Sequence, residues 1–472
     1  MESRKASDIS AFFEPRTVAV FGSLKETTGA GWGAIRNMLD FGFKGKIYPV
    51  NPSGGEIFGL QVYTTVEQVP EPLDLAMVII PPQAVPATVQ QCGRKGIRAV
   101  IIGTEGFAEA DEGGATLQRH ILDLAHRYGL RILGPNTIGV VNTANGLVTT
   151  PYPTGYKSFL KGGIAYCGQS GLVSAHSHPM EPYAYPLSKI CDFGNKCDVN
   201  EVDLIDYLSQ DQDTKVIAMH LEDIKDGRKF LEIARKTVVK KPVLIFKTGQ
   251  TEAGAKAAAS HTGSLSGDDR IYEAAFRQAG ILRLGNWTGF WEIPRIFASQ
   301  PLPGGPRVAI ISLSGGAGVV AADLAVKNGL VVTSFSDKTK QKLLAFSPRL
   351  ANNPVDIGPA ATVANDPISL SEAIMSVVLA DKMADSAVIL MHSGLGRAIT
   401  PLIDMLRRVH RNTTKPLVVW MDGPVPSVTA QLFCELARDG LPTYLDLEAA
   451  IKALSLAVAY SRIKSEFSEC AA

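Results

Sequence analysis

The chain has 472 residues, 46% of them hydrophobic and 20% charged, with a formal net charge of +1. That length suits about three domains, each with a core of its own, and the near-zero charge argues against nucleic acid as the main partner, since phosphate backbones call for a basic surface. The opening MESRKASDISAFFEPRTVAV lacks the apolar core of a signal peptide, and no segment reaches the roughly 18 apolar residues of a membrane-spanning helix, so a cytoplasmic protein without membrane contact is expected.

The first series of elements alternates short apolar runs with helical patterns. TVAVFG (17–22), KIYPVN (46–51), LAMVII (75–80), AVIIG (99–103) and RILGPN (131–136) read as buried parallel strands. Segments 31–41, 83–94 and 114–127 read as the helices between them. Five such units predict a doubly wound, Rossmann-like domain over residues 1–145. A second series predicts strands at 163–167, 188–191, 215–220, 242–247 and 281–284, and a second domain over 146–300. QPLPGGPRVAI (300–310), rich in Pro and Gly, reads as a linker. Strands near 308–313, 331–335, 386–392, 416–422 and 443–445 complete a third domain, 301–472. The fold class is therefore α/β, with three Rossmann-like or flavodoxin-like doubly wound domains.

The six cysteines, Cys92, Cys167, Cys191, Cys197, Cys434 and Cys470, form no CxxC pair and no regular framework, which points to reduced thiols. Cys191 and Cys197 read as small buried residues in preference to a shared metal site.

Three glycine-rich turns follow strands. After the first strand come Gly22, Ser23, Lys25 and a run ending in Gly29, Gly31 and Gly33. Glycines there let backbone N–H groups approach a phosphate, and the helix N-terminus adds positive potential. The spacing is not GxGxxG, and the second strand runs into Asn51-Pro52 where an acidic residue would hold a ribose. A nicotinamide site is thus disfavoured; a nucleotide-like ligand in another pose and a plain tight turn both stay open. Ile80-Pro81 and Gly103-Thr104-Glu105 end later strands at the same edge, where open α/β sheets bind ligands. In the second series, Gly168-Gln169-Ser170-Gly171 resembles a nucleophile elbow, but Leu172 stands where the elbow needs Gly, and an anion site at a helix N-terminus fits better. The third series opens with Ser314-Gly315-Gly316-Ala317. Two bare helix N-termini aimed at one place would suit a phosphate; ordinary Gly-rich turns remain the alternative for each.

The stretch KAAASHTGSLSGDD (256–269) sets His261 among small residues that offer nothing to pack it. Neutral imidazole is a nucleophile at physiological pH, and it needs a carboxylate on its far nitrogen to orient it. Glu222 and Asp223, at the end of VIAMHLEDI, are placed to supply one. A solvated bystander is the other reading of a lone His in a small polar loop.

Taken together, GNKCDV (194–199), VDLIDYL, HLEDIKDGRKF, Lys247-Thr248-Gly249 and SHTGSLSGDD resemble the NDP-forming acyl-CoA synthetases, relatives of succinyl-CoA synthetase. FKGKIYPVNP, GFAE and GPNTIG resemble their CoA-binding domain; NPVDIG and SGGAGVVAADLA resemble their C-terminal ligase domain. The resemblance implies that His261 is a phosphohistidine on a mobile loop and that Glu222 hydrogen-bonds its other nitrogen. It implies that helices starting at Ser170-Gly171 and Gly316-Ala317, with Gln169 and Gly315, bind the phosphoryl group. It further implies that the first domain binds CoA, with Gly22, Ser23, Lys25, Lys46, Ile80, Pro81, Thr104 and Glu105 as candidates. The reaction implied is acid, CoA and ATP giving acyl-CoA, ADP and phosphate, reversibly. An ATP-grasp domain is not found, so the chain resembles an α subunit. The nucleotide and its Mg²⁺ would sit mainly on a separate ATP-grasp β-type subunit, around a homodimeric core in an α2β2-like assembly. One departure stands out: Pro179, Pro182 and Pro186 cut short the helix expected after Ser170. His176, His178, Tyr183 and Tyr185 there are candidates for shaping a different acid pocket, so that replacing 175–187 with a regular helix changes acid preference. Competing functions are a CoA- or nucleotide-responsive regulator and an acyl- or carbamoyl-transferring relative on the same fold. Both are weakened by the presence of His261 and Glu222. An NAD oxidoreductase is the alternative outside the family.

Overall fold

The computed structural model describes residues 9–177, 185–262, 267–393 and 399–469. Three parallel-rich sheets form in chain order, and the chain divides into two compact units. The first unit takes Met1–His178 and Leu187–Gly285 and holds the first two sheets; the second takes Pro179–Pro186 and Asn286–Ala472 and holds the third.

In the first sheet the strands run Lys46–Val50, Thr17–Gly22, Leu75–Ile79, Ala99–Ile102, Arg131–Leu133, all parallel. Their runs of Val, Ile, Ala and Met are buried on both faces, as strands flanked by helices on two sides require. Helices Ala30–Asp40, Val85–Lys95 and Glu112–Tyr128 make the crossovers. Gly96 and Gly129 end the last two in the left-handed conformation at φ +84° and +67°. Strand order reverses between Thr17–Gly22 and Leu75–Ile79, which places a ligand crevice at the carboxyl ends of those two strands.

The second sheet is mixed, in the order Leu282–Leu284, Val243–Lys247, Val216–Leu221, Lys161–Gly168, Leu187–Asp192, Val140–Asn142, Leu147–Val148. The last two are an antiparallel extension that sequence reading did not anticipate. They are too short, at three and two residues, to show a period. The chain just beyond this extension packs against the first sheet's opening helix. Asn37 on the first crossover helix donates to the carbonyls of Thr150 (2.7 Å) and Tyr152 (2.9 Å). Gly33, one turn earlier on that helix, lies so close to the chain that a Cβ would stand 1.9 Å from the Pro151 carbonyl oxygen. Only glycine permits that approach.

The second unit is built on Val331–Val332, Arg307–Ser312, Ser386–His392, Leu417–Asp422 and Thr443–Tyr444, with Val355–Asp356 pairing the carboxyl end of Arg307–Ser312. Leu343, Ile374, Met405, Leu406 and Leu432 are among the residues that fill its core. Among the described residues no helix is long and apolar enough to cross a membrane.

Candidate functional site

At the carboxyl edge of the first sheet, Gly22 is buried against Gly31, whose N lies 2.9 Å from where a Gly22 Cβ would be. The turn is therefore bare backbone, with Ser23 and Lys25 exposed beside it. Ser23 O accepts from Trp32 N at 3.1 Å, which fixes the start of the helix. Thr104 braces the neighbouring strand end: its Oγ1 donates to Ile80 O (2.8 Å) and accepts from Ile80 N (3.2 Å). Glu109 then closes the next loop by accepting from Gly106 N (2.7 Å) and Phe107 N (3.1 Å). Gly22, Ser23, Lys25, Ile80, Pro81, Thr104 and Glu105 thus sit on loops at one edge. Beside them Trp32 and Phe58 lie 5.4 Å apart, with the Arg36 guanidinium 5.7 Å over Phe58. Sequence reading missed this aromatic pair, because Phe58 is carried by a two-strand hairpin, Glu56–Ile57 with Leu60–Gln61. The signal available was the turn-forming FG at 58–59.

Lys46 does not belong to that group. It begins its strand opposite Thr17, while Gly22 lies at the far end of the paired strand. Its ammonium is paired with Glu71, which raises the lysine's pKa and lowers that of the carboxylate. It lines a cleft of 1380 Å³ at the amino edge of the sheet with Arg16, Asp74 and Tyr207. Strand polarity is the reason: one sheet edge collects strand starts and the other strand ends.

In the second sheet, parallel pairing sets Gly168 beside His220 and Leu221 beside Lys247. The loops after these strands therefore emerge side by side. One carries Gln169, Ser170 and Gly171, the next Glu222 and Asp223, the third Thr248 and Gly249. The helix after Ser170 is cut short, as the prolines imply: residues 171–177 form turns and bends. Serine hydroxyls take the backbone's place, as they do when side chains compete with a helix ladder. Ser174 Oγ donates to Gly171 O (2.6 Å) and lies 2.9 Å from His176 Nδ1, and Ser177 Oγ is 3.1 Å from His176 Nε2. Among the described residues the N–H groups of Ser170 and Gly171 make no hydrogen bond, so two backbone donors remain at this turn without the helix. The Tyr152 and His176 rings lie 4.9 Å apart, tilted by 50°, and burial lowers the histidine's pKa. His178 and Tyr183 lie outside the described residues. Tyr185 is buried in the second unit, with the Arg295 guanidinium 5.5 Å from its ring.

The Gln169 side chain is buried and turned to the neighbouring loop. Its Oε1 accepts from Glu222 N (2.8 Å) and Asp223 N (3.3 Å), and its Nε2 donates to Asp223 Oδ1 (3.1 Å). Glu222 is itself buried. His261 lies in the last turn of the helix Glu252–Thr262, which follows the third loop. The sequence EAGAKAAAS is helical because Ala has the strongest helix propensity, so the backbone up to Thr262 is helix where a loop was expected. The His261 side chain and residues 263–266 are outside the described residues. Lys247, also buried, holds its ammonium 4.5 Å over the Tyr272 ring.

In the second unit, Gly315–Lys327 is a helix whose N-cap, Ser314, makes no side-chain cap. The N–H groups of Gly315, Gly316 and Ala317 come before the first intrahelical donor, Gly318 N, which bonds Ser314 O at 3.0 Å, and so have no acceptor within the helix. Asp356 Oδ2 lies 2.9 Å from where a Gly315 Cβ would be, so a carboxylate already flanks this positive end. Among the described residues no group of three or more His, Cys, Asp or Glu side chains could hold a metal ion.

Asp192 ends the strand beside Gly168 and is buried. Burial pushes its carboxyl up to about 7, with the Glu222 charge adding to the effect, against hydrogen bonds from Ile138 N and Gly194 N. Between its ordinary value of 3.8 and about 7 the folded chain keeps a proton that the unfolded chain has lost. Asp192 therefore contributes stability that is complete below the ordinary value and is lost as pH rises through the folded one. Urea unfolding across that window should show stability falling with pH, and Asp192→Asn should flatten the slope. An unchanged slope would rule the assignment out.

Comparison with known proteins agrees with this architecture. The CoA binding domain family matches residues 16–143, and the succinyl-CoA ligase like flavodoxin domain matches 161–297. The α subunit of acetate–CoA ligase (ADP-forming) I of Pyrococcus furiosus is 35% identical, covering 98% of this chain and 99% of its own. The α subunit of ligase II of the same organism is 37% identical, over 94% and 96%. A solved structure of acetyl-coenzyme A synthetase 1 from Candidatus Korarchaeum cryptofilum, in complex with phosphate and ADP, superimposes with a TM-score of 0.88 at 31% identity, covering 99% of this chain and all of that one. Near-complete mutual coverage at this identity leaves one conclusion: the chain belongs to the family of ADP-forming acyl-CoA synthetases and is an acid–thiol ligase of the α-subunit type.

Proposed function

We propose that the chain is the α-type subunit of a reversible acyl-CoA synthetase that works through a phosphohistidine at His261. In the synthetic direction an imidazole nitrogen of His261 attacks the γ-phosphorus of ATP and ADP leaves. A carboxylate oxygen of the acid then attacks the phosphorus and returns the imidazole. The CoA thiolate attacks the acyl carbon of the resulting acyl phosphate, and inorganic phosphate leaves. Each step exchanges one bond at phosphorus or carbon, and no oxidant is needed.

This chain's residues have separate parts in that sequence. The Gly22-Ser23-Lys25 turn with Ile80, Pro81, Thr104 and Glu105 holds CoA, and Trp32 and Phe58 offer a stacking surface for its base. The free N–H groups of Ser170 and Gly171 in one unit, and those of Gly315, Gly316 and Ala317 in the other, suit phosphoryl oxygens. Glu222 orients the imidazole and balances its charge once it is phosphorylated. ATP and Mg²⁺ belong mainly to a separate ATP-grasp chain, in keeping with relatives named as α subunits. The observation that carries the reading is the side-by-side emergence of the Gln169–Gly171, Glu222–Asp223 and Thr248–Gly249 loops, the last leading into the helix whose last turn carries His261.

The test runs the reaction backwards, with labelled phosphate and a panel of acyl-CoAs given to the native chain together with an ATP-grasp partner. Protein-bound label that survives base but not acid, and is absent from His261→Ala, establishes the phosphohistidine. No label in that mixture overturns the reading in favour of a CoA-responsive regulator. The acyl-CoA that supports labelling names the acid. Tyr152 and His176 border the Ser170 turn, so Tyr152→Ala and His176→Ala should change the preference among acids by about tenfold, the order expected for reshaping an apolar pocket. Unchanged ratios of kcat/KM across the panel would exclude them from the acid site.

A further inference from the structure

Glu222 can act only as well as the turn that carries it is held, and that turn rests on two side chains with no part in the chemistry so far. Gln169 spends both ends of its amide on the turn: the oxygen accepts from Glu222 N and Asp223 N, and the nitrogen donates to Asp223. Lys196 grips the turn from the other side. Its ammonium, wholly buried, lies 2.5 Å from Asp223 Oδ1, donates to Asp223 O at 3.0 Å, and pairs with buried Glu201 at 2.9 Å. Burial alone would raise the Asp223 carboxyl, yet the Lys196 charge holds it below the ordinary range.

Two details argue that Lys196 is there for its side chain. Its backbone sits in the left-handed region at φ +51°, where glycine is the easy choice and a long side chain is strained. The same turn also reaches the first sheet. Asn195 Nδ2 donates to Glu109 at 2.5 Å and to Gln118 at 3.1 Å, and Glu109 clamps Gly106 and Phe107. Lys225 Nζ ties the turn's backbone back to the Glu222 loop through Asn195 O (3.2 Å) and Lys196 O (2.7 Å). A simple packing role would be met by apolar residues at lower desolvation cost. A set of directional bonds converging on two consecutive residues fixes their orientation.

We propose that Gln169 and Lys196 are positioning residues for the phosphohistidine step, holding the Glu222–Asp223 turn so that the Glu222 carboxylate meets the imidazole already oriented. The proposal rests on the His261–Glu222 reading above.

The experiment uses the full chain with its ATP-grasp partner and compares Gln169→Met, Gln169→Glu and the double variant Lys196→Met/Glu201→Gln, which removes that ion pair as a unit. Gln169→Met keeps the volume and loses all three hydrogen bonds. Its phosphohistidine yield and kcat should fall about tenfold or more, as expected when an orienting partner in a catalytic set is lost, while KM for CoA stays within about twofold. Gln169→Glu keeps the acceptor for both N–H groups but faces Asp223 with a second charge. Its kcat should recover toward the native value as pH falls and the introduced carboxyl becomes a donor; Gln169→Met should show no such recovery. The double variant should match Gln169→Met. Native phosphohistidine yield and kcat in Gln169→Met would overturn the proposal while leaving His261 in place. A parallel fall of kcat, CoA affinity and melting temperature, without pH rescue, would reduce both residues to structure and overturn it too. Absence of label from the native protein would remove the phosphohistidine reading and this inference with it.

Discussion

His261→Ala should abolish acyl-CoA synthesis, with turnover reduced about 10⁴-fold or more, because a covalent relay has no second route once its nucleophile is gone. The loss should appear wholly in kcat. His261 lies outside residues 16–143, which match the CoA binding domain family, so CoA affinity should remain within about twofold, measured by calorimetry on the same preparation. On the proposed mechanism, Glu222→Gln tests the orienter apart from the nucleophile. The amide can still accept a hydrogen bond but carries no charge against the imidazole, so labelling should persist with a lower yield and slower turnover, by about 10²-fold. Equal activity in native and His261→Ala proteins would mean that phosphoryl transfer does not pass through this residue. A coincident loss of CoA binding would mean that the substitution had disturbed the fold.

Lys196→Met should cost about 3–5 kcal/mol of stability, because it leaves Glu201 and Asp223 without their shared cation in the interior. Glu201 and Lys196 have wholly buried side chains and Asp223 is only 12% exposed, so water is poorly placed to replace the ammonium. The triple variant Lys196→Met/Glu201→Gln/Asp223→Asn should regain much of the loss, since neutral groups need no counter-charge. Urea denaturation of the three proteins supplies the comparison. A single-variant loss under about 1 kcal/mol, the range of exposed pairs, would show that solvent reaches the triad and would weaken its claim to hold Glu222. The comparison is independent of catalysis, so it stands whatever acid the protein uses.

Much of the molecule was legible in the order of its residues. Strands such as 17–22 and 386–392 are continuous apolar runs closed by Gly or by a polar break, and burial on both faces leaves such a run little alternative to a central strand. The turn at Gly22-Ser23, the GQSG turn, Glu222 and His261 are also visible locally, because unusual residue types stand directly after a strand or within a small-residue bed. The helix through Ser260 was missed because the small residues were weighed for their polarity, whereas the alanines among them favour helix.

The sequence by itself determined the strands, their parallel crossovers and the chemical character of the loops, since each depends on neighbours a few residues away. Tertiary structure alone decided the rest. Lys46 falls at the wrong edge of its sheet because strand direction, invisible in composition, separates it from Gly22. Gln169 serves the Glu222 turn because parallel pairing brings residues 53 and 54 positions apart within hydrogen-bond reach. Lys196 looks like any surface lysine until Glu201 and Asp223 close around it. A buried charge has meaning only through its partners, and those partners are supplied by the fold.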